Sequence, residues 1–214
     1  AARLLIEAGA DVRAKRAGDA EVVLPIAVTG GDRRTVELLL ARGAAKNKRA
    51  VSVALATASF AGEAAMVRLL VAAGGDQDFE GGGEGHALNS ALYGAHPEVA
   101  DFLIEQGARL DVHSTSGHST PTMVWTAYNQ TGDPSLARRL VAAGADVNAA
   151  NAHGMTALAY ALRSGADTPL VSYLRSVGAK APEHPRARKV PDRPVPAALA
   201  ERAEIVRARM PATL

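Results

Sequence analysis

One turn, repeated at a nearly constant interval, constrains this chain more than any other feature. Its sharpest copy is Gly144-Ala145-Asp146-Val147-Asn148, which closes one apolar helix. The chain then runs through Asn151-Ala152-His153-Gly154-Met155 to Thr156, where an Ala/Leu-rich helix opens. Looser copies stand at Gly9-Ala10-Asp11, Gly43-Ala44, Gly74-Gly75-Asp76, Gly107-Ala108 and Gly178-Ala179, and the steps between their glycines are 34, 31, 33, 37 and 34 residues. A period in the low thirties marks one supersecondary unit stacked on copies of itself. Alanine dominates the 48% apolar content and aromatics make up only 4%. Such a core suits short helices whose backbones approach closely.

Between the turns each unit reads as two short helices. In unit two, Val22 to Thr29 is followed by a Gly30-Gly31-Asp32 break and a helix over Thr35 to Leu40, with Val36, Leu39 and Leu40 at helical spacing. Residues 11–21, charged and small, are read as a loop. In unit three the helices are Val51 to Ser59 and Ala65 to Ala72; in unit four they are Ala87 to Tyr93 and a helix opened by Pro97 after His96. Unit five is the longest, and its extra residues fall between Asp111 and Gly132. Unit six has Thr156 to Ser164, then Thr168-Pro169 as cap and first helical residue. The plan leaves no strands between Gly9 and Gly178. Residues 1–180 thus form one repeat domain and 181–196 a Pro-rich linker. Residues 197–214 form a terminal helix that docks on the last repeat or leads into a further domain. The chain opens inside an amphipathic helix without Met, as expected of a fragment.

Ten Lys/Arg face six acids in residues 1–50; residues 76–111 hold eight acids and Arg109 alone; residues 180–209 hold eight Lys/Arg and four acids. This layout can steer a charged partner, or simply keep the surface solvated. No apolar run approaches the ~20 residues that span a bilayer. The absence of cysteine removes disulfides and thiolate chemistry and leaves the compartment open.

The Thr-Ala-Leu opening, the glycine turn between helices and the Leu-Leu-x-x-Gly-Ala close together resemble the ankyrin repeat. The match is best over residues 146–178, and the second-helix half recurs six times between Ala1 and Ala179. The first-helix half is degenerate. The family's Thr-Pro-Leu-His is Val22-Val23-Leu24-Pro25, Val53-Ala54-Leu55-Ala56 and His86-Ala87-Leu88-Asn89 in units two to four, which implies looser loops there. The resemblance implies an all-α solenoid of five full repeats plus a leading half repeat, with the C-terminal linker and helix beyond. It also implies that a macromolecular partner binds on the concave face of first helices and loop tips. The late-first-helix position carries Thr29, Phe60, Tyr93, Gln130 and Arg163; the loop tips carry Arg49, Gly82, Gly83, His153 and Met155. Phe60 and Tyr93 form an aromatic strip, or fold over the neighbouring inter-helix turn. Trp125 fills the gap opened by the long unit, or turns outward under a one-residue shift of alignment.

Nothing in the sequence assembles catalytic machinery. His86, His113, His118 and His153 fall in loops on one side of the stack without the fixed spacing or carboxylates of a metal site. Gly81-Gly82-Gly83-Glu84-Gly85 lacks the strand, the Lys and the charge of a phosphate loop. Arg186-Ala187-Arg188-Lys189 lacks the interleaved aromatics of a nucleic-acid surface. The expectation is a non-enzymatic, monomeric protein-binding module of a larger protein, bacterial by its Ala/Arg/Gly-rich composition. It needs no cofactor, metal, nucleic acid or membrane. The alternatives are a structural spacer for a neighbouring enzymatic or redox domain and, more remotely, a metal-dependent enzyme using the loop histidines.

Overall fold

The recurring glycine marks the end of each second helix, where the chain must pass through left-handed backbone. Gly43, Gly74, Gly107, Gly144 and Gly178 have φ between 80° and 101°, a region glycine enters at little cost. After four of them the next amide donates back across the turn. Gly75, Ala108, Ala145 and Ala179 reach the carbonyls of Leu70, Leu103, Leu140 and Leu174 at 2.9–3.0 Å. A leucine and a glycine four residues later are therefore one physical device, which explains why the period survives where the rest of the motif decays.

The computed structural model describes residues 23–79, 86–110, 133–151 and 153–181, with residue 8 and the backbone at 15–16 and 20–21. The helices are α1 (Val23–Thr29), α2 (Arg33–Ala41), α3 (Lys48–Ala61), α4 (Ala64–Ala72), α5 (Ala87–Tyr93), α6 (Pro97–Glu105), α7 (Ser135–Ala142), α8 (Ala157–Ser164) and α9 (Pro169–Ser176). α1 packs on α2, α3 on α4, α5 on α6 and α8 on α9 as hairpins. Laterally, α1, α3 and α5 build a first-helix layer, while α4, α6 and α7 build a second-helix layer. The helical solenoid read from the sequence is the fold. The expected leading helix, the insertion with Trp125, the linker and the terminal helix lie outside the described residues.

Three of the second helices bury an apolar stripe with the spacing i, i+1, i+4: Met66, Val67 and Leu70; Val99, Ala100 and Leu103; Leu170, Val171 and Leu174. First helices bury a leucine and the alanine three residues on, as in Leu55/Ala58, Leu88/Ala91 and Leu158/Ala161. The small partner lets neighbouring helices close on each other. Pro97 and Pro169 occupy first helical turns as expected, and the Thr168 hydroxyl caps α9 by accepting from the Val171 amide at 3.2 Å.

Two departures correct the sequence reading. The segment 11–21 is not wholly loop: Lys15–Arg16 and Ala20–Glu21 pair as two-residue antiparallel strands. A second antiparallel bridge joins Ala150 and Thr156. Both are too short for alternation to show in sequence, and they sit in connections that leave the helical layers intact. The first helix of unit three is also longer than Val51 to Ser59. Asn47 explains this, because its side chain accepts from the Ala50 amide at 3.1 Å and starts α3 at Lys48. In the equivalent places, four residues after the turn glycine, Asp78 and Asn148 instead clamp the next unit. They accept from the Arg109 and Lys180 amides at 2.9 and 2.8 Å. Unit three has therefore exchanged its loop for an added helical turn, rather than loosening it.

The outer face of the second helices is stitched at two fixed positions, six and five residues before the turn glycine. The Arg68 guanidinium lies 4.4 Å from the Phe102 ring, and that of Arg138 lies 4.4 Å from the Tyr173 ring. Between these two contacts, Asp101 pairs with Arg139. Each contact joins one unit to the next, and exposed pairs of this kind contribute up to about 1 kcal/mol each.

The turns between paired helices carry two carboxylates with opposite shifts. Asp32 caps α2, and its carboxyl is held below the ordinary range by the Thr35 hydroxyl and then the Thr35 amide. Glu63 caps α4 by position only; burial raises its carboxyl. A lowered group contributes stability above its unfolded pKa and loses it as pH falls through the folded value. A raised group does the reverse, so Glu63 weakens the fold at neutral pH and stops doing so on acidification towards 4.5. Glu63→Gln is expected to raise the urea midpoint at pH 7, with the gap to wild type closing as pH drops to 4.5. A gap that is constant with pH would place the effect outside ionisation.

Candidate functional site

The first helices of units three and four end in aromatics. Phe60 stands two residues before Gly62 and Tyr93 one residue before Gly94. Lateral packing of α3 on α5 brings the rings to 5.8 Å between centroids with planes tilted by 42°, a favourable aromatic geometry. Both side chains are half-buried, so one side of the pair rests on the array while the other stays open. Sequence reasoning expected an aromatic strip or rings folded over the neighbouring turn; the two rings lie against each other.

A residue the sequence did not single out packs between the two turns that follow them. His96 follows the second turn, and its imidazole wedges between the Gly62 and Gly94 turns. A methyl group built on either glycine would run into that ring, and one on Gly94 would also strike the Phe60 carbonyl. The two glycines are absent side chains that let unit four sit against unit three. The signal for this was present as Gly62-Glu63 and Ala95-His96 in equivalent places, but only the packing shows which partner fills the gap.

The other expected site residues separate into three groups. Thr29, on α1, is half-buried, and its hydroxyl donates to the Pro25 carbonyl at 3.0 Å. Arg163, on α8, is exposed, with its guanidinium 5.9 Å from the Tyr160 ring. His153 and Met155 share one loop and are half-buried. Asn151 pins that loop: its side-chain oxygen accepts from the His153 and Met155 amides at 3.0 Å, and its side-chain nitrogen donates to the Tyr160 hydroxyl at 3.3 Å. Asn151 is itself 9% exposed and serves as the loop's internal brace.

Arg49 is not at a loop tip. It lies in the first turn of α3, exposed, with its guanidinium 5.9 Å from the Phe79 ring. The reason is the Asn47 cap, which recruits these residues into the helix. His86 is likewise no loop-surface histidine; at 3% exposure it is buried at the start of α5. Among the described residues no three His, Asp or Glu side chains gather to hold a metal. Gln130, Gly82, Gly83, His113 and His118 lie outside the described residues, as do Arg186, Arg188 and Lys189. Among the described residues no helix is long and apolar enough to cross a membrane.

Stacked antiparallel helix hairpins with short fingers between them, bearing an aromatic pair on the first-helix layer, define a helical repeat protein. Residues 88–184 match the family model of ankyrin repeats in three copies. A stretch of 74 residues is 45% identical to the human "Ankyrin repeat and KH domain-containing protein 1" and covers 35% of this chain and 3% of that protein. Over residues 88–184 this chain consists of ankyrin repeats. Ankyrin repeats are, in general, modules of protein–protein interaction. The chain spans a small fraction of the relative's length.

Proposed function

We propose that this chain is the recognition module of a longer, bacterial protein. It acts as a monomer and without catalysis, and holds a protein partner on a concave face made by its first helices and loops. The observation that carries this reading is the Phe60–Tyr93 pair. Two aromatic rings from adjacent units, packed together and half-open to solvent, have the makeup of an interface anchor, where aromatics dominate binding energy. Thr29 and Arg163 on α1 and α8, and His153 and Met155 on the pinned loop, are assigned to the rim. The second-helix face supports the same polarity, since Arg68, Arg138 and Arg139 on it already engage neighbouring units. Gln130 is retained in the proposed contact set through its place in the repeat.

Partners trapped by cross-linking to the full chain should be purified and titrated against wild type, Phe60→Ala and Tyr93→Ala. Each substitution is expected to weaken binding at least ten-fold, about 1.4 kcal/mol. Unchanged affinity in both variants and in their combination would overturn the reading and favour a spacer.

A further inference from the structure

The four first helices described carry no acidic residue. α1, α3, α5 and α8 contribute Lys48, Arg49 and Arg163 as their only charged side chains. The helical acids, Glu37, Glu98, Asp101 and Glu105, all lie in α2 and α6 of the second layer. The acids nearest α1 and α3 are committed to the fold. Asp32 accepts from Arg34, Thr35 and the Thr35 hydroxyl. Glu63 is half-buried with a carboxyl oxygen over Gly31. Asp76 and Asp78 accept from the Asp78 and Arg109 amides.

Around the start of α3 the imbalance is strongest. No acid occurs from Leu38 to Gly62, while Arg42, Lys46, Lys48 and Arg49 are all exposed. Lys48 reaches the Ala73 carbonyl at 3.4 Å. Arg49 and Phe60 are eleven residues apart, three helical turns within about 20°, and so lie on one line along α3. Val53 and Ala56 fill that line between them, and both are small. The rise from Arg49 to Phe60 is ~16 Å, the length of about five residues of extended chain. The added turn of α3 supplies the cationic end of this line, and the aromatic pair supplies the other.

We infer that the partner docks through an extended acidic segment whose carboxylates meet Arg49 and Lys46 and whose apolar side chain, about five residues away, packs on Phe60 and Tyr93. The inference rests on the concave-face reading above and names the chemistry that face selects. It disfavours docking of this chain's own residues 180–209, which carry eight Lys/Arg and four acids.

The test is selection of displayed random 12-residue peptides on the full chain, followed by fluorescence anisotropy of the winners against wild type, Arg49→Glu and the Phe60→Ala/Tyr93→Ala pair. Glutamate near a helix start is favourable to the helix, and matching melting curves would establish that Arg49→Glu is folded. The expected winners pair an Asp/Glu cluster with an apolar residue, bind ten-fold or more tightly than their Gln/Asn versions, weaken with salt, and lose at least ten-fold to Arg49→Glu. Winners without acids that are lost in the aromatic double variant would overturn the charge inference and leave the binding face standing. Winners indifferent to every variant, or no winners, would overturn both. Displacement of acidic winners by oligothymidylate at equal concentration would overturn the inference in favour of general polyanion binding.

Discussion

Gly94→Ala is expected to destabilise the protein by about 1–2 kcal/mol, although the backbone there is ordinary. Its φ of −72° is helical, and in such a conformation alanine gains ~0.5–1 kcal/mol over glycine. Against that gain stands the packing. The new methyl group would meet the Phe60 carbonyl and the His96 imidazole, and overpacking of this kind costs ~1–3 kcal/mol. The Phe60 carbonyl is backbone and cannot swing away, so the packing term wins. Gly62→Ala differs in kind, combining a left-handed φ of 76° with nearest contacts that are all to the His96 ring. Removing that ring with His96→Ala should therefore recover part of the Gly62→Ala loss and almost none of the Gly94→Ala loss. Urea unfolding of wild type, the three single variants and the two double variants decides the matter. A stabilised Gly94→Ala would mean that units three and four sit further apart than described.

The second large effect is expected at Leu103. It is fully buried in α6, which packs against α4, α5 and α7, and its carbonyl receives the Ala108 amide at the closing turn. Leu103→Ala should cost ~3–4 kcal/mol through lost contacts and the cavity left behind. A repeat stack is held by nearest-neighbour interfaces, so a loss this size at one joint should split a single unfolding transition into two. Hydrogen exchange would then show α7 to α9 opening before α3 to α5. One sharp transition with a loss near 1 kcal/mol would show that the site collapses around the missing atoms.

What could be seen in the sequence was whatever one helix or one turn determines alone. The glycine turns and the Pro97 and Pro169 starts are local, and both were legible; of the stripe read in unit two, Val36 and Leu39 are buried while Leu40 is only half-buried. The reach of α3 was not, because asparagine serves both loops and helix starts. Asn47 caps its own helix where Asn148 clamps the next unit, and the choice depends on which amide is nearer. The strand pairs at 15–16 and 20–21 carry two residues a side, below the length at which alternation can be read. Arg68 with Phe102, and Gly94 with His96 and the Phe60 carbonyl, belong to neighbouring units, so no single motif names them. Of the site, Phe60 and Tyr93 were legible as equivalent positions in a repeat. Arg49 was misplaced by the same ambiguity at Asn47, and Asn151 was hidden because its role is to brace rather than to project.

The stitched outer face has one further meaning. Its contacts are not interchangeable: a cation precedes Phe102, an anion precedes Arg139, and a cation precedes Tyr173. Were the unit ending at Gly144 deleted, Asp101 would be set over the electron-rich face of Tyr173, where a carboxylate is repelled. Duplicating the unit that ends at Gly74 would be harmless by comparison, since Arg68 would then lie over a second Leu69. This surface is a grammar of succession, recording which module is permitted to follow which.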